Sequence, residues 1–257
     1  MRAILLSLAL LLAPACTRVV EPRGTPAVAP EGEPFSHQVF AEVLVATVDE
    51  QGLIDYAGLQ ADRDQLDTYT ATLAVESPAS HPDRFPTKDA ELAYWINAYN
   101  ALAMTAVIDR PGLERVIDNR LDFFWRTRYP LGDLKVSLYH LENEIVRKHF
   151  DDPRVHFALN CQSAGCPQMR REPFPAQGLD TVLDAETKAF LADSRNVRVE
   201  GDTLYLSQIF QWYPKDFAAA GGPEAFVRAH LADLPQTSEL AYIPYDWTLI
   251  AQPGRMP

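Results

Sequence analysis

Ala93-Tyr94-Trp95-Ile96-Asn97-Ala98-Tyr99-Asn100-Ala101-Leu102 is apolar on nearly every face, yet it carries two amides. A helix of that kind is buried all round, because no side of it suits water. Working outward, Lys88 to Ile108 predicts one long central helix, ended by the breaker Arg110-Pro111-Gly112. Asn97 and Asn100 are three positions apart and share a side of it. There each amide must find partners or cost about 1–3 kcal/mol. They are either braces of the core or residues that bind substrate.

Before this helix, apolar positions 35, 39, 40, 43, 44 and 48 give a helical stripe from Phe35 to Val48. Leu53 to Tyr56 reads as a short strand, Ala61 to Leu73 as a polar helix, and Ser77 to Pro86 as a loop. After it, Ser137 is placed to cap a helix from Leu138 to Phe150, which Asp152-Pro153 ends. Arg154 to Asn160 alternates and is β-prone, and Cys161 to Pro175 reads as a loop. A helix from Leu179 to Leu191 leads to strands Asn196–Val199 and Thr203–Leu206, joined by the turn pair Gly201-Asp202. Ser207 to Phe217 is interrupted by Pro214; a helix over Pro223 to Leu231 and a last strand over Ala241 to Tyr245 complete the order. The expectation is a single α+β domain over residues 35–250, helices packed on one small, mostly antiparallel sheet, with 251–257 as a tail.

Composition agrees with a globular chain: of 257 residues, 47% are hydrophobic and 23% charged, which excludes fibrous and wholly disordered classes. Lys+Arg number 23 against 35 Asp+Glu, a net charge of −12, and no basic run interrupts the excess. Nucleic acid is therefore not an expected partner.

Residues 1–16 stand apart. Met1-Arg2 is followed by an apolar run that closes in Ala13-Pro14-Ala15-Cys16, the pattern of a secretion signal. The run is too short for the roughly 20 residues a membrane-spanning helix needs. A small residue before Cys16, with leucines upstream, resembles the lipobox of bacterial lipoproteins, which implies lipidation of Cys16. Thr17 in place of Asp implies an outer-membrane anchor, so the expected membrane contact is through the lipid alone. Residues 17–34 hold Pro22, Pro26, Pro30 and Pro34 with Gly24 and Gly32, which predicts a solvated tether.

With Cys16 assigned to the anchor, Cys161 and Cys166 remain, in Val155-His156-Phe157-Ala158-Leu159-Asn160-Cys161-Gln162-Ser163-Ala164-Gly165-Cys166-Pro167. In an exported chain two cysteines this close invite a disulfide staple worth about 2 kcal/mol. The sharper reading makes one of them a nucleophile, with His156 as base and Glu142 or Asn97 orienting the imidazole. On a straight strand His156 and Cys161 would point to opposite faces, so the chain has to bend back for this to hold. These residues have none of the usual zinc spacings, so neither a metal nor another cofactor is expected. A thiol–disulfide switch lacks the Cys-x-x-Cys spacing. Downstream, Leu206-Ser207-Gln208-Ile209-Phe210-Gln211-Trp212-Tyr213-Pro214-Lys215-Asp216-Phe217 sets an acid among aromatics. Asp216 there needs a partner such as Arg147 or His156, and Trp212 is a candidate to bind substrate.

Taken together, Tyr94 to Leu102, Ser137-Leu138 with Glu142 and Arg147, Pro153 to Cys161 with Cys166-Pro167, and Leu206-Ser207 through Phe210, Trp212-Tyr213 and Asp216-Phe217 resemble the domain of unknown function 547 family. The resemblance spans about residues 35–249; Trp247-Thr248-Leu249 matches the family's end, with Ile250 where Asn is expected. It implies no assigned activity. A helix followed by a His-bearing strand is similar to papain-like and transglutaminase-like layouts, although Tyr94 to Asn97 stands where papain carries its cysteine. The functional expectation is a cell-envelope protein whose Asn97, Asn100, Glu142, Arg147, His156 and Cys161 form one site. It would carry out thiol-dependent hydrolysis or acyl transfer on a peptide or thiol compound. The alternative is a noncatalytic binding module with Cys161 and Cys166 as its staple.

Overall fold

The computed structural model describes residues 17–257. Helix α4 (Lys88–Ile108) lies at the centre, with every residue from Leu92 to Ile108 buried. It starts where Thr87 accepts the backbone N–H of Ala90, which satisfies one of the donors a helix start leaves free. Helices α1 (Gln38–Thr47), α2 (Tyr56–Ala61) and α3 (Asp64–Val75) wrap one side of it and share its core. Ile54, expected in a short strand, makes only single bridges to Val48 and Ala251. The chain fits α+β, but its strands form two separate three-stranded sheets rather than one.

In the first sheet, β1 (Arg18–Val19) runs parallel to β2 (Thr127–Leu131), which pairs antiparallel with β3 (Leu134–Val136). In the second, β4 (Val197–Glu200) and β5 (Thr203–Ser207) form the expected hairpin, with Gly201 at φ +62° in its turn. Strand β6 (Glu239–Ile243) returns after a helical excursion and lies parallel to β5. Both sheets are thus mixed, and the antiparallel expectation is corrected: a strand that comes back over a long connection is free to enter in either sense.

Two further expectations change. Residues 17–34 are not a free tether. Besides the β1 pairing, Ala27 N–H donates to Thr72 Oγ1 at 2.9 Å, and the Arg84 guanidinium reaches the carbonyls of Ala29, Pro30 and Glu33. The prolines suit this extended path, while a buried arginine that donates to three carbonyls holds it down. The tail is docked as well, through the Arg255–Asp55 ion pair and a hydrogen bond from Gly112 N–H to the Pro257 carbonyl.

Second, Arg154 to Asn160 is not a strand. Pro153–Phe157 is a 3-10 turn, entered by Pro153 and capped by Asp152, which accepts Arg154 N–H at 2.9 Å. The helix expected over Leu138 to Phe150 is continuous, but Leu141–Val146 widens into a π turn between α5 (Leu138–His140) and α6 (Arg147–Phe150). A second apolar cluster, with Phe157, Phe190, Phe210, Phe217 and Phe226, joins α7 (Leu179–Ala192), α8 (Gln208–Trp212) and α9 (Pro223–His230) to the β4–β6 sheet. No described helix is long and apolar enough to cross a membrane.

Candidate functional site

One recess of about 80 Å3 collects residues from seven parts of the chain. Tyr99 comes from α4, Phe124 from the π turn Leu121–Arg126, Glu142 from the π turn Leu141–Val146, and His156 from the 3-10 turn. Cys161 and Cys166 come from the loop, Trp212 and Tyr213 from the end of α8, and Tyr245 and Trp247 from the segment after β6.

Because residues 153–157 turn instead of extending, the odd spacing between His156 and Cys161 does not separate them: both line this recess. His156 Nε2 lies 2.7 Å from Asp216 Oδ2. Arg147 grips the same carboxylate with Nε at 2.6 Å and Nη2 at 2.8 Å, and its Nη1 donates to Asn143. Asp216 thus takes both partners that the sequence offered as alternatives. Burial by itself would raise the Asp216 carboxyl, but the hydrogen bonds from His156 and Arg147 outweigh it and hold the group well below the usual carboxylate range. An ionised carboxylate only accepts, so His156 donates to it from Nε2, which fixes the orientation of the ring. The ring stacks on Tyr213 with centroids 4.4 Å apart.

The lowered Asp216 value has a stability consequence. The unfolded chain binds the proton more readily, so this contribution is complete above the ordinary value of 3.8 and is lost as pH falls below it. Asp216→Asn is expected to flatten the acid limb of a urea-unfolding stability profile below that pH; an unaltered limb would contradict the assignment.

Both cysteines are free and buried, with 8% and 7% of their surface exposed. The staple expected from their spacing is therefore not formed. They share the Tyr245 hydroxyl, which lies 3.2 Å from Cys161 Sγ and 2.9 Å from Cys166 Sγ. Cys166 Sγ also accepts Cys161 N–H at 2.9 Å, while Cys161 Sγ faces Ser163 Oγ at 3.5 Å. Burial, aided by the charges of Glu142 and Asp246, raises the Tyr245 phenol far above its ordinary value, so it stays a proton donor. Cys166 is the better supplied sulfur, with two donors aimed at it.

The loop is held by its own polar residues. Asn160 Nδ2 donates to the Pro167 carbonyl at 2.6 Å, and its Oδ1 accepts Gln162 N–H at 2.6 Å. Gln162 sits at φ +72°, an uncommon backbone for a residue with a Cβ, and Tyr56 donates to its side chain at 2.8 Å. Ala164 and Gly165 hydrogen-bond the carbonyls of Thr248 and Asp246, which fastens the thiol loop to the chain's final segment. A Cβ on Gly165 would stand 2.8 Å from the Tyr245 ring, so only glycine lets that ring close over the sulfurs.

Asn97 and Asn100 are elsewhere. Asn97 exchanges two hydrogen bonds with the backbone of Phe174, at 2.8 and 2.9 Å. Asn100 donates to the Ala158 carbonyl at 3.0 Å and accepts Asn160 N–H at 2.8 Å. Neither lines the recess, so the place given them among substrate-binding residues passes to the brace role. Glu142 does line it, but it does not orient His156; it accepts Tyr213 OH at 2.8 Å and Tyr99 OH at 3.4 Å. Trp212, 41% exposed, stands at the rim beside Trp247 and Tyr245. Cys16 lies outside the described residues.

Tyr245 is one of the recess-lining residues that sequence reasoning missed, with Tyr99, Phe124 and Trp247. It stood at the end of an expected strand, about eighty positions from the cysteines it contacts. The available signal was Tyr245-Asp246-Trp247, two aromatics flanking an acid just before the chain's final apolar residues.

The helix α4, Glu142, Arg147, His156 and both thiols fall in one continuous stretch. Residues 83–191 match the family model DUF547, described as a protein of unknown function. The DUF547 match is narrower than the resemblance over residues 35–249. It leaves out Trp212, Tyr213, Asp216, Tyr245 and Trp247, so the matched stretch supplies the thiols, the imidazole, Glu142, Tyr99 and Phe124, while the chain beyond it supplies Asp216 and the other aromatics. No curated protein and no solved structure matches the chain.

Proposed function

We propose that this protein is a thiol-dependent hydrolase or acyl transferase acting on a peptide or thiol compound, with Cys166 as nucleophile and His156 as base. The supporting observation is that a carboxylate-oriented imidazole and two free thiols line one aromatic recess. His156 Nδ1 takes the Cys166 proton, and the sulfur adds to the substrate carbonyl. The amine or thiol leaving group departs with the proton from His156, and a thioester remains on Cys166. Water or a second acceptor then gives its proton to His156, attacks the thioester and releases the sulfur. Tyr245 OH and Cys161 N–H stabilise the thiolate at the start and at the end. Arg147 acts through Asp216, which it positions.

The unreduced protein treated with iodoacetamide near neutral pH is expected to be labelled first at Cys166. His156→Ala should slow that labelling roughly tenfold or more, since the thiolate fraction falls with its base. Two sulfurs joined in the unreduced protein, with no thiol reactive after mild reduction, would reject this reading.

We further propose export to the cell envelope with lipid attachment at Cys16, on the strength of the apolar leader and the small residue before that cysteine. Cys16→Ser is expected to move the protein from the membrane to the soluble fraction, and continued membrane association would reject lipidation.

A further inference from the structure

Glu142 puts a carboxylate into the recess without a cationic partner. Its oxygens accept from two phenols, Tyr213 and Tyr99, which fills about two of the four or so positions a carboxylate offers. The Arg147 guanidinium is taken up by Asp216, and no ion pair to Glu142 occurs among the described residues. Asp216 balances Arg147, and Glu142 is the carboxylate that lines the recess wall.

Around it the walls are aromatic. Trp212, Trp247 and Tyr245 form a continuous array, with centroid separations of 4.9, 5.7 and 4.5 Å, and Tyr213 and Phe124 close other sides. Negative ring faces beside an unneutralised carboxylate attract an ammonium and reward it for leaving water. An anion is repelled there, and a neutral apolar group would leave the carboxylate desolvated without compensation. The overall charge of −12 draws cations toward the protein in the first place.

We propose that the recess is an ammonium-binding site, formed by Glu142 and the aromatic wall, and that the substrate carries an alkylammonium group. This deepens the thiol-transfer reading by naming its substrate class, but the binding itself does not depend on either sulfur. The test is a titration of the full protein with n-butylammonium chloride at constant ionic strength, followed by tryptophan fluorescence, with n-butanol as the neutral isostere. Saturable binding at least tenfold tighter for n-butylammonium is expected, as is a tenfold or greater weakening in Glu142→Gln. The readout is binding alone, with no turnover, so failure of thiol chemistry and failure of this proposal are told apart. Equal affinity for the alcohol, or undiminished binding by a Glu142→Gln protein with a parental melting curve, would overturn it. If that variant fails to fold, the preference for ammonium over alcohol in the parent protein decides the matter alone.

Discussion

Cys166→Ser is expected to lower thioester or activated-ester turnover by about 10^3 to 10^6-fold, the range set by loss of a nucleophile from a concerted group. A serine hydroxyl keeps the two hydrogen bonds from Tyr245 and Cys161 N–H, so the loss reports the chemistry of the sulfur rather than a collapsed loop. Cys161→Ser keeps the backbone N–H and loses only a weak side-chain contact, so its effect should stay within about tenfold. A p-nitrophenyl ester in a stopped-flow burst assay gives both numbers. An inert Cys161 variant beside an active Cys166 variant would move the nucleophile to Cys161, and two variants as active as the parent would dismiss thiol catalysis.

Asn100→Ala should have the largest effect on stability. It strips the Ala158 carbonyl and the Asn160 N–H of their partner at a site where Asn100 is 3% and Asn160 1% exposed. Two buried groups without partners cost about 2–6 kcal/mol together. Asn100 joins the central helix to the residue that starts the thiol loop, so the damage should spread: Cys161 and Cys166 should become more open to alkylation even where the fold survives. Urea unfolding measures the first effect and mass-resolved labelling the second. A loss below about 0.5 kcal/mol would show that water replaces the amide without penalty.

The central helix was legible end to end, because Arg110-Pro111-Gly112 ends it and its composition left no solvent face. The β4–β5 hairpin was legible for a similar local reason, a glycine turn between alternating runs. His156 was identified, but its backbone was not. Arg154 to Asn160 alternates as a strand would, yet Asn100 takes up the Ala158 carbonyl and Asn160 N–H that a neighbouring strand would need. That competition comes from a residue nearly sixty positions away and has no local signature. Tyr245 was hidden likewise, since a hydroxyl shared by two sulfurs is a product of tertiary packing. The stretch from Leu113 to Val136, with β2, β3 and a π turn, offered no strong period to read. The amides of Asn97 and Asn100 were seen to need partners; only the structure shows the main chain providing them.

Strand β1 begins at Arg18, and its pairing with β2 leaves Thr17 as the sole link to Cys16, a leash of about 3.5 Å. If Cys16 carries acyl chains, the globule is moored flush against the lipid headgroups, not floated away from them. Its reach would then be that of a bollard, not a buoy: whatever enters the recess would have to arrive along the membrane surface.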